Sequence, residues 1–295
     1  MKYDVGGDPM TGLRWVRRTP QKIAEELKKL GIQVSRATVA RLLKQMHFSL
    51  RVNRKKISSG SNRDRNQQFE YIASLREQFA RRGDPVISVD TKKRELIGQF
   101  KNAGTTWSRE STPVNDHDFR SQAVGIGIPY GLYDPGANSG TVVVGTSHDT
   151  SEFAAASIAK WWRRQGRRRY PEAQRLLILA DNGGSNDPRK KAWKYYLQDR
   201  ICNPFGISVT VVHYPPGASK WNPIEHRLFS EITKNWQGRP LDSYETCLKY
   251  IARTRTSTGL EVTAYFDPKN YPDKVEINAD QMATVRLQPH DVNAG

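Results

Sequence analysis

The chain has 295 residues, 37% of them hydrophobic and 26% charged, which suits a globular protein with one large and one small domain. Its 47 Lys and Arg against 30 Asp and Glu leave a net charge of +17, most of it in the first 82 residues, so a polyanion is the expected partner and nucleic acid heads the candidates. Two cysteines without paired spacing exclude a disulfide framework or a cysteine-rich zinc site, and no apolar run is long enough for a membrane span; with no leader-like start, a cytoplasmic protein is expected.

In chain order, the first predicted element is a helix that opens at Thr19 and Pro20, a cap and first-turn pair, and carries Ile23, Leu27 and Leu30 on one face. Gly31 ends it. Ser35 then caps a second helix with Val39, Leu42, Leu43 and Met46 as its apolar face. Two short helices joined through glycine have the pattern of a helix-turn-helix, whose second helix enters the major groove; Arg36, Thr38, Arg41 and Lys44 would then face DNA.

A plain helical hairpin shows the same pattern, and charge decides between the two. Arg51, Arg54, Lys55, Lys56, Arg63 and Arg65 follow, with Ser58, Ser59, Gly60 and Ser61 among them, as in a flexible arm that tracks phosphates. Arg54, Lys55 and Lys56 are its expected contacts. Residues 62–82 return to helical spacing, and the stripe Phe69, Ile72, Leu75 and Phe79 reads as core.

From residue 85 the period changes. PVISVD is a short β-branched strand ending in a carboxylate, and after a polar, irregular stretch to about residue 125, YGLYDP and TVVVGTSH flank a turn as a hairpin. Thr150 or Ser151 caps a helix with Phe153, Ile158, Trp161 and Trp162, and Arg163 to Arg169 form a basic end suited to a helix C-terminus or to phosphate. RLLILAD is a buried strand, a helix follows near 187–200, ISVTVVHY is another strand, and a last helix opens at Asn222. Three strands, helix, strand, helix, strand, helix make an α/β mixed sheet with flanking helices, preceded by a small all-α region; the order matches the RNase H-like fold, but flavodoxin-like and other doubly wound folds also end apolar strands in Asp, and the carboxylates must decide. The expected organisation is 1–60 for the helix-turn-helix and arm, 61–84 for a connecting helix, and 85–295 for the sheet domain.

Three acids sit where such a sheet gathers its chemistry. Asp90 and Asp181 end strands, and Glu225 lies in the first turn of the last helix, 91 and then 44 positions apart. The C-terminal ends of neighbouring strands converge on one crevice, so the three can meet. Three carboxylates repel unless cations neutralise them, and magnesium, a hard ion, takes one or two carboxylates plus phosphate oxygens. Two such ions, with manganese as a substitute, suit in-line displacement at phosphorus. Each acid also has an ordinary explanation: Asp90 as a strand end, Asp181 before Asn182, Gly183 and Gly184 as a turn, and Glu225 as the N3 partner of an Asn222 cap. Their joint placement on three elements favours the metal site. Asp187 before Pro188 reads as a cap, and the six histidines have no zinc-ligand spacing, although His213 and His226 flank the site.

The segments PVISVDTKKRELIGQFKN, IPYGLYDPGANSGTVVVGTSHDTSEFAAASIAKWW, RLLILADNGGSN and HYPPGASKWNPIEHRLFSEITKNWQGRPL closely resemble the ISAzo-thirteen type of bacterial insertion-sequence transposases, a branch of the mariner-like DDE superfamily. The resemblance runs from about Leu13 to near the C-terminus. It implies an RNase H-like catalytic domain in which Asp90, Asp181 and Glu225 match the three motif acids. The implied activity is metal-dependent strand cleavage and strand transfer on double-stranded DNA, both element ends and target, by at least a dimer associated with the bacterial nucleoid. The match starts inside the family's DNA-binding part and stops slightly short at the other end, so an N-terminally truncated copy is expected. A helix-turn-helix regulator or an inactive transposase remnant is the alternative.

Overall fold

The computed structural model describes residues 5–7, 14–16, 19–49, 65–218 and 221–290. The chain divides into two compact units, Met1–Ile57 and Ser58–Gly295. Arg54, Lys55 and Lys56 lie outside the described residues.

In the first unit, β1 (Val5–Gly7) pairs antiparallel with β2 (Arg14–Val16), an addition to the all-helical region expected. Helix α1 (Pro20–Lys29) opens with the Thr19 hydroxyl accepting the Lys22 N–H, and α2 (Arg36–Gln45) with the Ser35 hydroxyl accepting the Thr38 N–H at 3.0 Å. Gly31 takes φ +81°, a left-handed turn open to glycine, as the Ile32 N–H reaches back to the Leu27 carbonyl. Ile23, Ala24 and Val39 are buried between the helices, with Leu27, Val34 and Leu43 packed around them. Leu30, Leu42 and Met46, expected on the apolar face, are instead exposed. Two ten-residue helices share a single line of contact, and these three side chains lie off it.

In the second unit, α3 (Arg65–Arg82) leads into a seven-stranded mixed sheet. Its strands are β3 (Val86–Thr91), β4 (Glu95–Ile97), β5 (Gly125–Asp134), β6 (Ser139–Gly145), β7 (Arg175–Ala180), β8 (Ser208–His213) and β9 (Glu261–Asp267). Across the sheet the order is β8-β7-β3-β5-β6-β9, with β4 pairing β5. Strands β3, β5 and β6 run antiparallel in sequence, while β7 and β8 run parallel to β3. That is the RNase H-like arrangement expected from the element order. Strand β9, parallel to β6, is an addition.

Helices cover both faces. On one, α4 (Ser151–Trp161) and α5 (Lys191–Leu197) bury Phe153, Ile158, Trp161 and Trp193 against Ile87, Val89, Tyr130 and Ile178. On the other, Ile72 and Phe79 of α3 meet Leu177, Leu179 and Val212, so the stripe read as core is core. Beside them on that face, a wide turn at Glu225–Phe229, α6 (Ser230–Trp236) and α7 (Tyr244–Ala252) pack on Val142, Val144 and Val262. A short α8 (Ala279–Ala283) follows β9. Among the described residues, no helix is long and apolar enough to cross a membrane.

Candidate active site

Parallel pairing of β3 with β7 sets Val89 opposite Ala180, so the next residues along each strand, Asp90 and Asp181, emerge side by side at one edge of the sheet. Gly131 on β5 is the partner of Asp90 on its other side. A Cβ at Gly131 would collide with the Phe229 ring, and one at Gly140 with Leu228. These two glycines therefore let the Glu225–Phe229 turn settle onto the sheet, which delivers Glu225 to the edge that carries the two aspartates.

The Asp90 carboxyl is pushed from 3.8 up to about 8. Burial is the main cause; the charge of Asp181 comes next, and the charge of Glu225 and a hydrogen bond with it add to the rise, while the Thr91 N–H, donating at 2.7 Å, works against it. Burial also raises Asp181, and a hydrogen bond from Asn222 opposes that rise. All three sequence-predicted acids thus share one electrostatic neighbourhood. Among the described residues no three His, Cys, Asp or Glu side chains form a closed metal-ligand set. The acids share a field rather than a finished coordination shell.

A cleft of about 330 Å³ opens over this edge, lined by Asp90, Asp181, the Asn182–Ser185 loop and the Pro215–Gly217 loop. It also contains two residues that the sequence reading did not single out. Asp149 is a fourth carboxylate, and the Thr91 hydroxyl donates to it at 2.9 Å. Its only sequence signal is its place directly before the Thr150 cap, which reads as ordinary helix-start chemistry.

Asn222 behaves differently from the expected cap. Its side-chain oxygen accepts from the Ser88 hydroxyl and its amide donates to Asp181 Oδ1 at 3.0 Å. The backbone N–H of Ile224 donates instead to the Ser88 hydroxyl at 3.3 Å, so a strand residue satisfies the start of this helical segment. The capping-box role considered for Glu225 therefore loses its partner, because the Asn222 side chain faces the sheet. His213 is half-buried with Nε2 2.8 Å from the Asn186 carbonyl oxygen, and partial burial lowers its pKa; His226 is exposed beside Glu225. Asp187 accepts from the Arg189 guanidinium at 2.7 Å and from its backbone N–H, which holds the carboxyl down at about 2. On α2, Arg36, Arg41 and Lys44 are exposed, while Thr38 is half-buried with its hydroxyl 3.0 Å from that of Ser35.

A family model described as the Rhodopirellula transposase DDE domain matches residues 1–294. The chain belongs to this transposase family. That is the family the sequence motifs resembled. No curated protein matches the chain. Among solved structures, this DDE-family chain is similar to the Mos1 transposase paired-end complex with left transposon end, at 16% identity and a TM-score of 0.46, covering 79% of this chain and 65% of that one. The Mos1 mariner paired end complex with Mn gives 18% identity and 0.44 over 79% of this chain and 65% of that one. The HTLV-2 integrase catalytic core domain in complex with magnesium gives 12% and 0.31, over 61% of this chain and 92% of that one. The chain thus spans about two-thirds of the length of the Mos1 transposase chain, 65%.

Proposed function

We propose that this DDE-family chain is a transposase that binds the ends of an insertion sequence, cleaves a DNA strand there and joins the freed 3′-hydroxyl to target DNA. Asp90, Asp181 and Glu225 are assigned as ligands of magnesium or manganese, two ions per site. The region 1–60 is assigned to DNA recognition through Arg36, Thr38, Arg41 and Lys44 with a phosphate-tracking arm of Arg54, Lys55 and Lys56. Residues 61–84 serve as the connecting helix and 85–295 as the catalytic domain. Pairing two ends calls for at least a dimer on DNA, and work on chromosomal DNA for a cytoplasmic, nucleoid-bound location.

The observation that carries this reading is Asp90. A carboxyl pushed to about 8 by burial and by two neighbouring acids sits in a field that a divalent cation relieves. The donor set, carboxylate oxygen without sulfur, suits a hard ion that also takes phosphate oxygens. Such ions, when bound, activate the attacking oxygen and stabilise the leaving one. The chain's own residues hold the acids in place: the Thr91 N–H fixes Asp90, and the Asn222 amide fixes one oxygen of Asp181. Lys93 and Arg94, exposed just beyond Asp90, draw a phosphate backbone toward the cleft.

The deciding experiment incubates the protein with supercoiled plasmid and labelled element ends in magnesium, and scores nicking and joining separately. Asp90→Ala and Asp181→Ala are expected to lose both while retaining DNA affinity, and calcium is expected to support binding with little chemistry. Binding of ends without nicking in magnesium or manganese would instead identify a DNA-binding regulator or remnant. Activity that survives either substitution would end the assignment of the acids.

A further inference from the structure

Ser88, Asn222 and Ile224 are all fully buried, and they tie together the three elements that carry the acids. Ser88 lies two residues before Asp90 on β3, on the same side of the strand. Asn222 lies three residues before Glu225 and reaches Asp181 at the end of β7. Ile224 precedes Glu225. The bonding directions form one consistent circuit: the Ile224 N–H donates to the Ser88 oxygen, the Ser88 hydroxyl donates to Asn222 Oδ1, and Asn222 Nδ2 donates to Asp181 Oδ1.

This circuit fixes which way the Asn222 amide points. Turned over, it would set a carbonyl oxygen against the Asp181 carboxylate, and the pair would repel. The Ser88 hydroxyl, by taking the amide oxygen, keeps the N–H side toward Asp181. We propose that Asn222, oriented by Ser88, is a positioning residue that holds Asp181, and through the Ile224 N–H the start of the Glu225 segment, in register with Asp90 for metal binding. The inference rests on the reading of these acids as metal ligands. Partners behind the ligands of a metal site orient ligand oxygens, and their loss typically weakens metal binding 10- to 100-fold.

The test is direct manganese binding to the full chain, followed by the paramagnetic signal of free Mn²⁺, with no DNA present. Ser88→Ala and Asn222→Ala should each raise the half-saturating Mn²⁺ concentration by roughly 10- to 100-fold. The double variant should be no weaker than Asn222→Ala alone, since both substitutions break one circuit. Ser88→Ala, the smaller change, guards against failure of Asn222→Ala to fold, and affinity for duplex DNA should stay near wild type in both. Wild-type Mn²⁺ binding in Ser88→Ala and Asn222→Ala, or losses that simply add in the double variant, would overturn the proposal. If the wild-type chain itself binds no Mn²⁺, the metal reading fails first, and the two failures are told apart.

Discussion

Gly131 sits beneath the Phe229 ring, so that a single methyl group on this β5 residue would occupy the space of the ring edge and stand 3.0 Å from Ile224 Cδ1. Because Gly131 is also the strand partner of Asp90, the packing of Phe229 and the placement of Glu225 depend on one absent side chain.

Gly131→Ala is therefore expected to lift the Glu225–Phe229 turn from the sheet. Overpacking of a closed core costs about 1–3 kcal/mol, and in a chain of this size each kcal/mol lowers Tm by roughly 2–4 °C. Nicking in magnesium should fall more steeply than stability, since Glu225 moves with the turn. A variant with wild-type Tm and wild-type nicking would show that the ring adapts and that Gly131 sets nothing.

The Asp90 carboxyl gives the metal-free protein a pH signature. Its pKa rises from 3.8 to about 8 on folding, so the folded state keeps a proton that the unfolded state has lost across that window. This contribution to stability is complete below about pH 4 and is lost as pH rises through about 8. Denaturant titrations in chelator at pH 5, 6.5 and 8 should show wild-type stability declining with pH, and Asp90→Asn, neutral throughout, declining less. Parallel curves for the two proteins would remove Asp90 as the cause.

DNA recognition by α2 is tested by contrast between sequences. Arg36→Ala or Arg41→Ala should lose roughly 1–3 kcal/mol on element ends only, whereas Lys55→Ala should weaken binding to all duplexes alike. Equal losses on specific and random DNA for every variant would leave a nonspecific basic surface.

The run from Arg163 to Arg169 continues α4 through a wide turn and lies at the sheet edge away from Asp90, where Arg169 is held by Asp134 and Ser139. Arg164, Arg167 and Arg168 are exposed. If they meet DNA phosphates, the triple change to Ala should reduce the salt dependence of duplex binding by up to about three phosphate contacts, each worth roughly 0.9 in the logarithmic slope. An equal loss of charge at Lys234, Lys249 and Arg253, on the opposite face, is the control. Identical slopes in the two variants would mark the run as a solvated helix end.

The helix starts at Thr19, Ser35 and Thr150, the breaks at Gly31 and Pro85, and the apolar strands ending near Asp90 and Asp181 were legible in the sequence by itself, because caps, turns and strand period act over a few neighbouring residues. So was the family, through long motif strings around the three acids. Strand β9 was not legible: its residues alternate weakly between buried and exposed, and pairing with β6 across more than a hundred positions makes it a strand. The three residues of β4 are too few to show a period. At the site, the sequence placed Asn222 as a helix cap, since Asn before Pro near a helix start has that local meaning. Only the tertiary structure brings Ser88 and Asp181 within hydrogen-bond reach, and a buried amide bonds to what surrounds it in space. Asp149 and the raised Asp90 carboxyl follow the same rule: burial and neighbouring charge are properties of the assembled sheet edge, and no single segment contains them.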